Sequence, residues 1–318
     1  MREKLLAMAA SVRPTSNVLS HSVNKSDRKA LVQLMSSGVR STSNCSILVV
    51  SCDGYCDLWP PFFALFNHYW PDCPFQVHLG SETRSFESFG VKTLLLNEKA
   101  DWSTCLAAYL DKCDTKYVLI LLDDFFLRGR VQTPLVLGAL DFAIATNALQ
   151  VRLAPVPPPR WPAVGSADYG EYKSGDRYRV SAQAAIWDKS YLRSLVRPGE
   201  NPWTFEHNGT DRANSNRGGH FGARRPLLPY AGWFSHHVVE KGCWLPSEKI
   251  IFREPKWNCN FNARPTLPFH RAVQYQLARL FVTGLQWLPP KVSDEVRLLA
   301  RSIMQKYTPK ALASLGGR

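Results

Sequence analysis

The sequence predicts an α/β protein: an open, mostly parallel sheet flanked by helices, followed by C-terminal amphipathic helices. Two observations carry this. Apolar strand-like runs alternate with helix-spaced segments over about 110 residues from Cys45 onward. Two of those runs, Ser46–Cys52 (SILVVSC) and Tyr117–Leu122 (YVLILL), are almost uninterrupted apolar stretches, the pattern of parallel strands covered on both faces.

The elements follow in order. Residues 1–44 are rich in Ser, Asn and Arg and read as a loosely ordered leader with one short helical stretch near 26–36. The first strand is Ser46–Cys52. Residues 60–70 (PPFFALFNHYW) have helical spacing, with prolines where a first turn tolerates them. Phe75–Leu79 and Val91–Leu96 are the second and third strands. Residues 102–113 form a helix with Ser103 as candidate cap. Tyr117–Leu122 is the fourth strand, 133–149 a helix and 151–155 a short strand. The Pro- and Gly-rich stretch 156–177 reads as a long inserted loop, a length usually tied to function or mobility. Tyr178–Trp187 returns to strand character, Asp188–Val196 is a helix, and 207–230 is loop-like. Helices are expected at about 269–287 and 293–307. The expected organisation is therefore a leader (1–44), a main domain (45–260, in halves 45–155 and 156–260) and basic C-terminal helices (261–318).

Composition narrows the function classes. With 45% hydrophobic and 20% charged residues the chain is globular. No apolar run approaches the ~18 residues of a membrane span, and the start of the chain lacks a secretory apolar region. Eight cysteines without a CxxC pair read as reduced core thiols, so a cytoplasmic location is expected. Residues 45–150 carry 12 acidic against 7 basic groups, whereas 231–318 carries 13 basic against 5 acidic. An acidic middle suits a divalent cation, and a basic end suits phosphates or an anionic membrane surface. Nucleic acid is not expected as a partner, because no zinc finger, RNP-like motif or aromatic-interleaved basic run is present.

The candidate site residues are few. Asp123 and Asp124 are adjacent carboxylates directly after an apolar strand and before Phe-Phe-Leu, which is not turn composition. Such a pair needs a compensating cation, and hard oxygen donors suit Mn²⁺ or Mg²⁺. Asp53, with Ser51 before it, ends the first strand and is placed to contact a nucleotide; the alternative is a simple Asp-Gly turn. Glu206, in PWTFE, sits among aromatics that would raise its pKa for proton transfer, against the alternative of a surface Glu. Of His236-His237 at most one can face a ligand, since neighbours in a strand point to opposite faces; His236 is the candidate metal ligand. Arg271, Arg279, Arg297, Arg301, Lys306 and Lys310 run opposite Val273, Leu277, Leu280, Phe281 and Trp287 in the C-terminal helices. They read either as a solvated basic face or as attachment to an anionic membrane.

Three segments occur in order: SCDGYCDLWPPFFALFNHYWPDCP, YVLILLDDFFL and YRVSAQAAIWDKSYLRSLVRPGENPWTFE. Together, over residues 45–245, they resemble a family of bacterial glycosyltransferase-like proteins of lipopolysaccharide and capsule biosynthesis. The resemblance implies the nucleotide-diphospho-sugar fold called GT-A, a sugar-nucleotide donor, a divalent metal and a glycan or glycolipid acceptor. It places Asp53 at the nucleotide end of the first strand, Asp123-Asp124 at the acidic metal motif and Glu206 in a Trp-x-Phe-Glu segment. The sequence has Asp-Asp where the fold's usual motif is Asp-x-Asp, which leaves open which carboxylate touches metal. The expectation is a metal-assisted glycosyltransferase, cytoplasmic or peripheral on the inner membrane face, with Glu206 as general base and 156–177 as a lid. His207 and Asp211 are the reserve base candidates. The rival readings are a sugar nucleotidyltransferase, for which only Gly54 stands where a Gly-rich loop belongs, and a catalytically inactive scaffold on the membrane surface.

Overall fold

A computed structural model of the chain describes residues 42–154, 156–215, 218–230, 237–274, 276–277 and 296. Nearly all of the expected leader and most of the two C-terminal helices lie outside those residues.

The chain enters the sheet at β1 (Cys45–Val50), buried along its whole length. A tight 3-10 turn over Asp53–Leu58 leads into α1 (Trp59–Tyr69), with Pro60 and Pro61 in its first turn. Then come β2 (Gln76–Ser81), β3 (Lys92–Leu95), α2 (Trp102–Asp111), β4 (Tyr117–Leu122) and α3 (Thr133–Thr146). α3 ends where Asn147 adopts a left-handed conformation, φ 49°, a common helix stop. The second half contains β5 (Gln150–Arg152), β6 (Trp161–Pro162), β7 (Tyr169–Glu171), β8 (Ala185–Asp188), α4 (Lys189–Leu195), α5 (Pro202–Ala213) and β9 (His220–Ala223). A hairpin of β10 (Val239–Glu240) and β11 (Cys243–Trp244), then α6 (Pro246–Ile251), completes the described elements.

Nine strands form one sheet in the order β3-β2-β1-β4-β8-β5-β9-β7-β6. The expected open α/β sheet is present. The four strands from β3 to β4 are wholly parallel, and β8, set between β4 and β5, runs against both. β5 therefore runs in the same direction as β4. Alternation along β1 and β4 splits the core in two. Ile47, Val49, Leu119 and Leu121 face α1 and α3 through Phe62, Phe66, Val136 and Leu140. Leu48, Val50, Val118 and Ile120 face α2, α4 and α5 through Leu106, Leu110, Leu192 and Phe205. Each such side chain contributes roughly 1.5–3 kcal/mol by leaving water. Gly80 on β2 lets α2 settle on the sheet, because a Cβ there would lie 2.3 Å from the Tyr109 ring.

Several expectations change. The stretch 156–177 is not a free lid: it holds β6 and β7, and β7 pairs with β9 at the sheet edge. Strands of two and three residues, one with proline and the other with glycine, leave no periodicity to read. Residues 207–213, expected as loop, complete α5, whose start is fixed by a capping box between Asn201 and Thr204. Of Tyr178–Trp187 only the end pairs as strand β8. The cap of α2 is Asp101, which accepts from the Thr104 amide at 3.0 Å, while Ser103 donates its hydroxyl to Asp101.

Candidate active site

β1 leads to β2 and β3 on one side, while β4 lies on its other side. The direction of winding reverses between β1 and β4, and in open α/β sheets ligands bind beyond the carboxyl ends of the strands at such a point. The register Val50↔Leu122 sets Ser51 next to Asp123 there. The Ser51 hydroxyl donates to Asp123 Oδ2 and accepts from the Trp59 indole at 2.7 Å. Thus Ser51, Asp53, Asp123 and Asp124 do come together, at the ends of two adjacent strands.

Asp53 is committed to a neighbouring loop. Its Oδ1 accepts from the Ser81 hydroxyl (2.9 Å) and from the amides of Thr83 (3.0 Å) and Arg84 (3.2 Å), and its Oδ2 from the Thr83 hydroxyl. Burial opposes the charge, but these hydrogen bonds prevail and hold the carboxyl down at about 2. Glu82, itself buried, accepts from the Asp53 amide at 3.1 Å. Asp53 thereby fixes the β2 end against the β1 end.

Asp123 is almost fully buried. Burial raises its pKa, and Ser51 and Arg264 only partly oppose the rise. Asp124 is likewise raised well above the usual carboxylate range, first by burial and then by the charge of Asp123. Both therefore bind protons more tightly than ordinary carboxyls. The Asp124 carbonyl accepts from the Val238 amide at 2.8 Å, which ties the chain leading into β10 to the Asp124 backbone. His237 meets Glu240 at 3.1 Å and lies beside the Phe125 ring. His236 falls outside the described residues.

Sequence reasoning missed Arg264. Its guanidinium forks onto Asp57, with Nε to Oδ2 at 2.8 Å and Nη2 to Oδ1 at 2.5 Å, and Nη2 also donates to the Gly54 carbonyl at 2.7 Å. It stacks over the Tyr55 ring at 4.2 Å and its charge lowers the pKa of both Asp123 and Asp124. A contact spanning 207 positions leaves no local signal in sequence. Asp57, four residues after Asp53 in the same 3-10 turn, was the available hint.

Glu206 is not in an apolar pocket. Trp203 is 66% exposed, and Phe205 turns into the core against Trp102. Instead Glu206 Oε1 accepts from the Ser181 hydroxyl (2.7 Å) and the Ala182 amide (2.9 Å). That holds the carboxylate at the segment leading to β8 and leaves Oε2 without a hydrogen bond among the described residues. His207 and Asp211 are exposed on α5.

No family model matches the chain, and no curated protein does. Among solved structures it is similar to S. aureus TarS 1–349 in complex with UDP (11% identity, 74% of this chain and 70% of that chain, TM-score 0.41). It is also similar to the bifunctional IspDF of Campylobacter jejuni (12%, 54% and 47%, TM-score 0.31). A third is the galactosyltransferase LgtC in complex with donor and acceptor sugar analogues (11%, 73% and 95%, TM-score 0.33). The chain spans 59% of one TarS 1–349 structure and 47% of the IspDF chain. Likeness at this level assigns no activity.

Proposed function

We propose that the chain is a glycosyltransferase that moves a sugar from a nucleotide-diphospho-sugar donor to a saccharide acceptor in cell-surface glycan synthesis. The observation that carries this reading is the pair Asp123-Asp124 beside Ser51 at the point where the sheet reverses its winding. The motif order in the sequence supports it.

The donor set fits a hard divalent cation. Burial opposes the charge on both carboxylates, so the pair ionises fully only with a compensating cation, and Mg²⁺ or Mn²⁺ commonly takes one or two carboxylates, with substrate phosphates and water as its other ligands. Among the described residues no cluster of three or more His, Cys, Asp or Glu offers a complete protein cage. A bound ion would supply charge to stabilise the departing diphosphate. Asp123 and Asp124 would hold it, with Ser51 orienting Asp123. Arg264 adds a fixed positive charge on the same side. Glu206, held through Oε1 and open at Oε2, is the proposed base that takes the proton of the acceptor hydroxyl.

Peripheral attachment to an anionic membrane belongs to the same reading. Among the described residues no helix is long and apolar enough to cross a membrane. Phe269, Val273 and Leu277 are exposed at helical spacing of four next to Arg271, within a strongly basic C-terminal segment. The test of the function is a thermal-shift screen of UDP-, GDP-, CMP- and dTDP-sugars with Mn²⁺, followed by turnover of whichever donor stabilises the fold. No stabilisation by any donor, with or without the ion, would overturn the reading.

A further inference from the structure

Away from the acidic pair, two arginines are buried in the second half of the sheet without an ion pair among the described residues. Arg152 on β5 and Arg179, in the segment before β8, are both wholly buried, as is His220 on β9. The Arg152 guanidinium lies over the Tyr172 ring at 4.0 Å, and none of its three nitrogens has a hydrogen-bond partner among the described residues. Arg179 donates through Nε to the Tyr172 carbonyl at 3.2 Å and through Nη1 to the Ala213 carbonyl, while its Nη2 is unpartnered. The two arginines thus share Tyr172 as neighbour.

His220 does not add a charge and does not remove one. Gln150 Oε1 can only accept, so Nδ1 donates to it at 3.3 Å and Nε2 accepts from the Tyr191 hydroxyl at 2.9 Å. Burial first, then Arg179 and Arg152, push its pKa down to about 3, so the ring is neutral. The carboxylates close at hand are otherwise engaged or distant. Glu206 serves Ser181 and Ala182, Glu171 and Asp176 act on Arg179 only through space, and neither arginine has an ion pair among the described residues.

A guanidinium cannot shed its proton, and the face of one tyrosine offsets only part of the cost of burying it. Two such groups in one region, with four unpartnered nitrogens between them, need a counter-charge. The planar fork of arginine matches an oxyanion. We propose that Arg152 and Arg179 form an internal oxyanion site that takes phosphate, either as the free ion or as the phosphate group of a larger ligand. Arg152 ends β5, which runs in the direction of β4, so the site lies at the same carboxyl edge of the sheet as Asp123. The Tyr172 hydroxyl donates to the Pro157 carbonyl at 2.7 Å, which fixes the ring that Arg152 lies over. This site stands independently of the glycosyl-transfer reading.

The test is thermal unfolding of the full chain at constant pH and ionic strength, with chloride replaced stepwise by inorganic phosphate in one arm and by UMP in another. A ligand that binds only the folded state raises the midpoint with its concentration. A rise with inorganic phosphate identifies the free ion; a rise with UMP alone identifies a phosphate carried by a larger ligand. In either case the rise should vanish in Arg152→Met, which keeps length and removes the charge. That variant should also unfold at or above the wild-type midpoint without phosphate, since a buried unpaired charge has gone. Arg152→Lys, which keeps the charge but not the fork, should weaken the response and serves if the Met variant does not fold. A flat wild-type response in both arms, or an unchanged response in a folded variant, would overturn the proposal.

Discussion

Asp123 and Asp124 make stability depend on pH in a direction opposite to that of most surface carboxylates. Burial raises both, so the folded chain keeps protons that the unfolded chain releases from about pH 4 upward. Stability from this pair is therefore greatest below the ordinary carboxylate pKa and declines as pH rises through the raised values. A divalent cation should reverse the decline. Mn²⁺ is expected to raise the unfolding midpoint at pH 8, to have little effect near pH 5, and to lose its effect in Asp124→Asn, which should be more stable than wild type at pH 8 without the ion. Calorimetry at the two pH values checks this; equal Mn²⁺ effects at both would remove the pair as the ion's site. Glu206 carries a second expectation. Glu206→Gln keeps its size but cannot take a proton, so transfer should fall by about 10²–10⁴-fold with donor affinity little changed. Because Oε1 accepts from Ser181 and Ala182, the unfolding midpoint must be measured alongside turnover. A near-normal rate would exclude Glu206, whereas loss of donor binding together with stability would make it a structural clasp for the segment before β8.

At the scale of elements, legibility followed how local the cause was. β4 was readable to its last residue because a six-residue apolar run between polar neighbours has one reading. α1 and β3 were readable within two residues for the same reason. β6, β7 and the true extent of α5 were not, since short edge strands are defined by their partners and α5 carries a polar face with Gly209 in its interior. The close approach of α2 to β2 was also hidden. It depends on Gly80 meeting the ring of Tyr109, a contact between distant residues. Gly80→Ala would drive a methyl into that ring, and overpacking of this kind typically destabilises by about 1–3 kcal/mol. Denaturant unfolding should show the loss as a lower midpoint at unchanged slope; a variant as stable as wild type would mean that α2 is free to shift.

For the molecule as a whole, the carboxyl edge of the sheet was legible as the place where chemistry belongs, because apolar runs ending in Ser51, Asp53 and Asp123-Asp124 mark it in the sequence. What was not legible was everything supplied from afar: Arg264 from the far side of the chain, the interlock of Asp53 with the 81–84 loop, and the buried arginines. Charge segregation is a property at this scale too. The basic C-terminal segment, with Phe269, Val273 and Leu277 exposed, should bring the protein down with anionic liposomes at low salt. At roughly 0.5 M salt, where screening reduces the reach of exposed charge to about 4–5 Å, it should be released. Equal sedimentation with neutral vesicles would argue against electrostatic attachment. The central claim is that a cation held by the acidic pair serves sugar transfer. Its most direct measurement is release of nucleoside diphosphate from the stabilising sugar nucleotide, with and without Mn²⁺, by wild type and by a folded Asp124→Asn variant. Wild-type release is expected to require the ion and the variant to release none above background; full activity of the variant, or of wild type in EDTA, would contradict the account.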